Sequence, residues 1–161
     1  MAGIGHVAHK QARSLGDAAV DGLFGGLAAG VLMGIYLFVL GLVQGKAGAE
    51  MLGVLVIDRE ITPATTVLIH LAISGIYGLV FGMGVYLYRP AREFGVRYWK
   101  VAGLGLLYGL ALALVARTIL LPGSGSYMES LEWLPLAGAH GLYGLSLGVF
   151  TGLGRRTVER S

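Results

Sequence analysis

Three side chains that could do chemistry lie within long apolar stretches of the sequence: His70, Arg117 and His140. Histidine and arginine are costly in the hydrocarbon core of a membrane, and they usually face the protein interior or water. Counted along helices, all three lie about 6 to 10 Å below the same membrane surface. We therefore expect them to face one another near one end of a helical bundle.

Two histidines and an arginine at one level favour several kinds of binding site. His70 and His140 could ligate the iron of haem b from opposite sides, with Arg117 paired to a propionate. A divalent metal is less favoured, because two histidines without a nearby carboxylate or cysteine form an incomplete shell. Arg117 and a histidine could instead bind an anion or a quinone head group. The structural alternative is common: shallow polar side chains often reach water or bond a carbonyl group.

The stretches that position these residues are long and almost uncharged. No Asp, Glu, Lys or Arg occurs in residues 22–45, 61–88 or 133–154, and Arg117 is the only one in residues 101–121. About 20 helical residues cross a hydrocarbon core of about 30 Å. The sequence thus predicts an all-α integral membrane protein, with transmembrane helices at about 18–43, 63–88, 99–121 and 134–154. Residues 1–161 then form a single membrane domain, with an outer loop at 44–62.

The composition excludes several classes of protein. Charged residues make up 13% of the chain, about half of the usual share of roughly 25%. This excludes a disordered protein and a nucleic-acid binder. The chain contains no cysteine, which excludes disulfides, thiolate metal sites and thiol catalysis.

The basic residues predict the orientation. Lys46 and Arg59 lie in the loop after the first helix, whereas nine basic residues lie in the two terminal tails and in the loop between helices two and three. The nine are Lys10, Arg13, Arg89, Arg92, Arg97, Lys100, Arg155, Arg156 and Arg160. The positive-inside rule therefore predicts a multi-pass protein of the cytoplasmic membrane with both termini in the cytoplasm.

Small residues recur every four positions in each predicted helix. Helices in lipid associate through close backbone approach at such positions. We therefore predict that the bundle packs through small-xxx-small stripes made by Gly22, Gly26, Gly30, Gly34, Gly78, Gly82, Gly105, Gly109, Gly144, Gly148 and Gly152. A Tyr-Gly-Leu triplet also recurs, beginning at Tyr77, Tyr108 and Tyr143.

Parts of this pattern resemble a known group. The glycine-rich first helix, a histidine ahead of a Tyr-Gly pair in helix two, and the run from His140 to Gly144 in helix four are similar to the YagU-like proteins. These are small four-helix proteins of the bacterial inner membrane. The resemblance covers about residues 22–154, and it implies an architecture and a membrane without implying a mechanism.

No catalytic template fits the sequence. Ser124 and Ser126 lie in a glycine-rich turn, and no carboxylate falls in the middle of a span. We therefore expect a non-catalytic accessory or structural subunit of a larger membrane complex, for example one that transfers electrons. Its partners would be the lipid bilayer, other membrane subunits or further copies of itself. A b-type cytochrome with haem between helices two and four, and an anion- or quinone-binding protein that uses Arg117, are the alternatives.

Overall fold

The chain forms four long helices. A computed structural model describes residues 14–46, 52, 62–88 and 98–160, with side chains from Trp99 to Leu153 in the last range. The helices are α1 Leu15–Val43, α2 Pro63–Leu87, α3 Tyr98–Val115 and α4 Trp133–Arg160. A π-helical turn, Ala116–Leu120, extends α3, and a 3-10 helix, Tyr127–Ser130, precedes α4. All four helices contain a segment long and apolar enough to cross a membrane, which confirms the predicted all-α membrane protein with four spans.

Local capping sets where the first two helices begin. The Ser14 hydroxyl accepts a hydrogen bond from the Asp17 backbone N–H at 3.1 Å, and the Asp17 carboxylate accepts one from the Ser14 N–H at 2.8 Å. This reciprocal pair starts α1 at Leu15, ahead of the boundary near residue 18 that the apolar pattern predicts. At α2, the Thr62 hydroxyl accepts from the Thr65 N–H at 3.3 Å, and Pro63 occupies the first turn.

The helices pack as two antiparallel pairs. The α1 helix packs along α2, α3 packs along α4, and contacts between α1 and α4 join the two pairs. The fourth side of the bundle, where α2 faces α3, has the sparsest contacts of these four. We call this side the α2–α3 seam.

Glycines allow close backbone approach inside each pair. A Cβ atom added at Gly26 would lie 2.5 Å from the Ser74 carbonyl oxygen and 2.8 Å from the Gly78 Cα. A Cβ atom added at Gly109 would lie 2.9 Å from the Gly144 Cα. Nine of the eleven predicted stripe glycines oppose backbone or side-chain atoms this closely. They are Gly22, Gly26, Gly30, Gly78, Gly82, Gly105, Gly109, Gly144 and Gly148.

The other two stripe glycines differ in their surroundings. A Cβ atom at Gly34 would make only ordinary contacts, the nearest being 3.7 Å from Nε2 of His70. Gly152 is buried.

The end of α3 departs from regular helix geometry. The Leu121 N–H donates to the Ala116 carbonyl oxygen at 2.9 Å, which is the i to i+5 bond of a π-helical turn. The Thr118 hydroxyl bonds the Leu114 carbonyl oxygen at 2.8 Å, a contact that often accompanies a bent helix. Beyond Pro122 the chain turns through Gly123 and Gly125, whose φ angles of 72° and 66° are easily adopted only by glycine.

Candidate functional site

A cavity of about 280 Å³ lies between the helices near the end of the bundle that carries the 3-10 helix. We call it the histidine cavity, because His70 and His140 both line it. Residues from all four helices, the π turn and the 3-10 helix contribute to its wall. The full lining consists of Met33, Leu37, His70, Ile73, Ser74, Tyr77, Leu112, Ala116, Leu120, Leu121, Met128, His140 and Tyr143.

His70 bridges α2 and α1. Its Nε2–H group donates a 3.0 Å hydrogen bond to the Gly30 carbonyl oxygen, and the side chain is 8% exposed. The bond is possible because Gly30 and Ser74 let the two helices approach closely: a Cβ atom at Gly30 would lie 2.6 Å from the Ser74 Cβ. His70 thus lies in the contact between α1 and α2, with Gly30 as its hydrogen-bond partner.

His140 makes its hydrogen bond within α4. Its Nδ1–H group donates to the Leu136 carbonyl oxygen, one turn earlier, at 3.0 Å. This contact fixes the ring without using Nε2, and the residue remains half-buried at the cavity wall. His140 therefore presents a free ring nitrogen on α4, while His70 presents one on α2.

The two hydrogen bonds define which ring nitrogens carry hydrogen. A carbonyl oxygen can only accept, so Nε2 of His70 and Nδ1 of His140 must be the protonated nitrogens. In a neutral imidazole the other nitrogen is then a lone-pair acceptor. Within the described residues, Nδ1 of His70 and Nε2 of His140 have no hydrogen-bond partner, and Thr151 Oγ1 is the only fully buried polar side-chain atom left without one. Neither free nitrogen is therefore a fully buried unpaired atom, and both imidazole rings line the histidine cavity.

Arg117 lies away from the two histidines. It is exposed, it is absent from the cavity lining, and its Nη1 donates to the carbonyl oxygens of Glu129 at 2.8 Å and Leu131 at 3.2 Å. The Glu129 carbonyl lies within the 3-10 helix and the Leu131 carbonyl directly after it, and the same helix contains Met128, which lines the cavity. The structure therefore brings His70 and His140 together on one cavity, whereas Arg117 holds the segment that closes its end.

The Glu129 carboxylate supports the same segment. It accepts hydrogen bonds from the backbone N–H of Gly123 at 2.8 Å and of Gly125 at 3.3 Å. Glu129 thereby ties together two parts of the loop between α3 and α4, and Arg117 attaches this loop to the π turn. Tyr127 extends these contacts to α1, because its hydroxyl donates to Oε1 of Gln44 at 2.9 Å.

Sequence reasoning missed the hydroxyl groups that border the histidines. The Tyr143 hydroxyl on α4 donates a 2.6 Å hydrogen bond to the Ser74 carbonyl oxygen on α2. Ser74 and Tyr77 also line the cavity. The signal was available in the spacing: Ser74 follows His70 by one helical turn, and Tyr143 follows His140 by just under one, so each lies on the same helix face as its histidine.

The electrostatic character of the cavity is neutral. Its lining contains no Asp, Glu, Lys or Arg. In the described part of the chain no group of three or more His, Cys, Asp and Glu residues is arranged to hold a metal ion. The site can therefore offer two imidazole acceptors and several hydroxyl groups in a mainly apolar wall.

Neither a family model, a curated protein nor a solved structure matches the chain. The resemblance to YagU-like proteins accordingly stays a prediction. The function of the protein must be inferred from the geometry of the histidine cavity.

Proposed function

We propose that this chain is a non-catalytic membrane component that binds a neutral, mainly apolar molecule bearing hydroxyl groups. One observation carries the proposal: His70 and His140 line the same cavity, and each has one ring nitrogen bonded to a carbonyl oxygen and one free. Two lone-pair acceptors in an apolar wall favour a ligand that donates hydrogen bonds. Pockets of this kind, with few polar groups that fix the ligand's orientation, are typical of small-molecule sites.

The same geometry argues for a neutral ligand over an anion. An anion would need a positive charge beside it, because burying an unpaired charge is costly. The lining contains no lysine or arginine, and Arg117 is engaged by two carbonyl groups of the neighbouring segment. The anion-binding alternative is therefore the less supported form of the hypothesis, and a quinone-type ligand would bind through the histidines.

Haem b is a second candidate, since a neutral imidazole with a free nitrogen is also the form that binds a metal. His140 would offer Nε2, but His70 would have to offer Nδ1 or break its bond to Gly30. The cavity volume of about 280 Å³ lies just below the range of about 300–1,000 Å³ typical of ligand pockets. No cationic side chain in the lining is available to pair with a propionate. These features favour a smaller, uncharged ligand.

The wider role that we propose is that of an accessory subunit in the cytoplasmic membrane, with both termini in the cytoplasm. The distribution of lysine and arginine supports the orientation. Co-purification from mild detergent would test the accessory role: a reproducible stoichiometric partner supports it, and a protein that is always isolated alone contradicts it.

A matched pair of small probes tests the binding site. Tetramethylhydroquinone has two hydroxyl donors, and its dimethyl ether has the same ring without them. Loss of two neutral hydrogen bonds costs about 1 to 3 kcal/mol, so the ether should bind at least about fivefold more weakly to protein in lipid nanodiscs. The variants H70F and H140F should reduce this preference, and equal binding of both probes to the unmodified protein would overturn the proposal.

An absorption spectrum separates the haem alternative. We expect protein purified from cells supplied with iron and a haem precursor to show no Soret band. A Soret band that is lost in both H70A and H140A would instead assign the cavity to haem.

A further inference from the structure

A second cavity lies in the α2–α3 seam, on the side of Tyr77 away from His70. Its volume is about 330 Å³, and we call it the seam cavity. Its wall is formed by Val80, Phe81, Gly84, Val85 and Tyr88 of α2 and by Leu104 and Tyr108 of α3. Both tyrosines contribute aromatic rings, so the wall is almost wholly apolar.

The two cavities follow the same face of each helix. On α2 the histidine cavity uses Ile73 and Tyr77, and the seam cavity continues at Val80 and then at Gly84. Steps of three and four residues keep side chains on one helix face. On α3 the lining positions Tyr108 and Leu112 are also four residues apart, and they belong to the two different cavities. The cavities therefore lie end to end along the seam.

The length of this path matches a lipid tail. From Tyr77 to Tyr88 an α-helix rises about 16 Å. That is about half of a hydrocarbon core of about 30 Å, or the depth of one leaflet. The path also borders the most sparsely packed side of the bundle, where a molecule dissolved in the bilayer can enter without parting a glycine-packed helix pair.

An aromatic pair marks the junction of the two cavities. The Tyr108 hydroxyl donates to the Tyr77 carbonyl oxygen at 3.0 Å, and the rings of Phe81 and Tyr108 have centroids 5.3 Å apart. The hydroxyl is thus turned onto the α2 backbone, and the ring faces give the path an apolar surface. An apolar chain that extends from one cavity to the other would lie against these ring faces, where a polar head group would find no free hydrogen-bonding partner in the pair.

From these features we infer that the ligand is a membrane quinol, with its ring in the histidine cavity and its isoprenoid chain in the seam cavity. This inference depends on the proposed function and names its ligand. A quinol carries two hydroxyl donors on a flat, otherwise apolar ring, which matches the two free nitrogens of His70 and His140. The isoprenoid chain would fill the seam cavity, which a ligand without a tail would leave empty.

Two glycines offer a matched test of the chain path. A Cβ atom at Gly84 or at Gly103 would meet no atom within 4 Å, so a side chain can leave the backbone at either position without a clash. Gly84 lines the seam cavity and Gly103 does not. G84L therefore fills the path, and G103L is the control.

The probes are ubiquinol with a single isoprene unit and ubiquinol with a long polyisoprenoid chain, both titrated into protein in nanodiscs of one lipid composition. In the unmodified protein and in G103L, the long-chain probe should bind about tenfold more tightly at equal mole fraction in the bilayer, because its chain makes van der Waals contacts along the seam wall that a single isoprene unit lacks. In G84L this advantage should disappear while binding of the short-chain probe is unchanged. Each probe partitions into the lipid to the same extent for every variant, so differences between variants report binding to the protein.

The outcomes distinguish failure of the chain path, of the quinol assignment and of the hydroxyl-binding site. If G84L keeps the full advantage of the long chain, the tail path is wrong and the head-group site still stands. If neither quinol binds while tetramethylhydroquinone does, the quinol assignment is overturned but not the hydroxyl-binding site. If none of the hydroxylated probes binds, the proposed function itself fails. Displacement of long-chain ubiquinol by an equal concentration of dioleoylglycerol would assign the path to a glycerolipid instead.

Discussion

Gly78 on α2 and Gly144 on α4 occupy equivalent places in two separate helix pairs. A Cβ atom at Gly78 would meet the Gly22 carbonyl oxygen and lie 2.5 Å from the Gly26 Cα. A Cβ atom at Gly144 would meet the Gly105 carbonyl oxygen and lie 2.8 Å from the Gly109 Cα. A tyrosine precedes each of the two glycines. The hairpin of α1 and α2 and the hairpin of α3 and α4 therefore repeat the same glycine contact.

The site departs from this repeat. Superposing Gly78 on Gly144 places His70 opposite Leu136 and Ser74 opposite His140. Exact repetition would also make the α1–α4 side equivalent to the α2–α3 side, yet α1 and α4 pack closely while the seam does not. The two histidines have no counterpart in the other hairpin, and both cavities lie beside the seam that breaks the repeat. A binding site at these positions leaves the glycine contacts within each helix pair intact.

Alanine at Gly78 or Gly144 should destabilise the protein. The added methyl group would lie against backbone atoms that cannot rotate away, so we expect a cost of about 1 to 3 kcal/mol in the free energy of unfolding. Denaturation in mixed micelles of mild detergent and sodium dodecyl sulfate measures it. G103A is the control, since its methyl group would meet no atom within 4 Å. Equal stability of all three variants would contradict a packing role for the stripes.

Two buried hydroxyl groups should respond oppositely to deletion. Tyr143 is 2% exposed and donates to the Ser74 carbonyl oxygen, whereas Thr151 is 1% exposed and its Oγ1 has no partner in the described part of the chain. Y143F should cost about 0.5 to 1.5 kcal/mol of stability. T151V should be neutral or stabilising, because valine has nearly the same shape and buries no unsatisfied polar atom. The same micelle denaturation measures both, and a larger loss for T151V would show that the threonine has a partner.

The four spans could be predicted from the sequence, and so could the shared level of the two histidines that line one cavity, because both depend only on position along a helix. An uncharged run of residues determines where a helix crosses the membrane, and residue count gives the depth of His70 and His140. Depth does not fix the direction in which a side chain points around its helix. Arg117 shares their depth, but it reaches the carbonyl groups of Glu129 and Leu131. That contact depends on the π turn and on a folded loop, neither of which has a periodic signal.

Arg117 should therefore act on the cavity through the 3-10 helix. R117Q shortens the side chain and removes the charge, so at least one of its two carbonyl bonds should be lost. We expect faster amide hydrogen exchange in residues 127–131 and a modest weakening of tetramethylhydroquinone binding, because Met128 would be less firmly held at the wall. Exchange elsewhere in α2 and α4 should be unchanged. Unaltered exchange in residues 127–131 would show that the loop is held without Arg117.

Single-cysteine labelling tests the orientation of the bundle. The natural chain has no cysteine, so each introduced thiol is the only one that reacts. Gly48 and Glu93, which fall outside the described residues, lie in the two loops that the basic residues assign to opposite sides. With both termini in the cytoplasm, G48C in whole cells should react with a membrane-impermeant maleimide, and E93C should react only after the cells are opened. S161C should behave like E93C, since the four spans return the chain to the side on which it begins. Labelling of S161C but not G48C in intact cells would reverse the orientation and place the histidine cavity near the cytoplasmic surface.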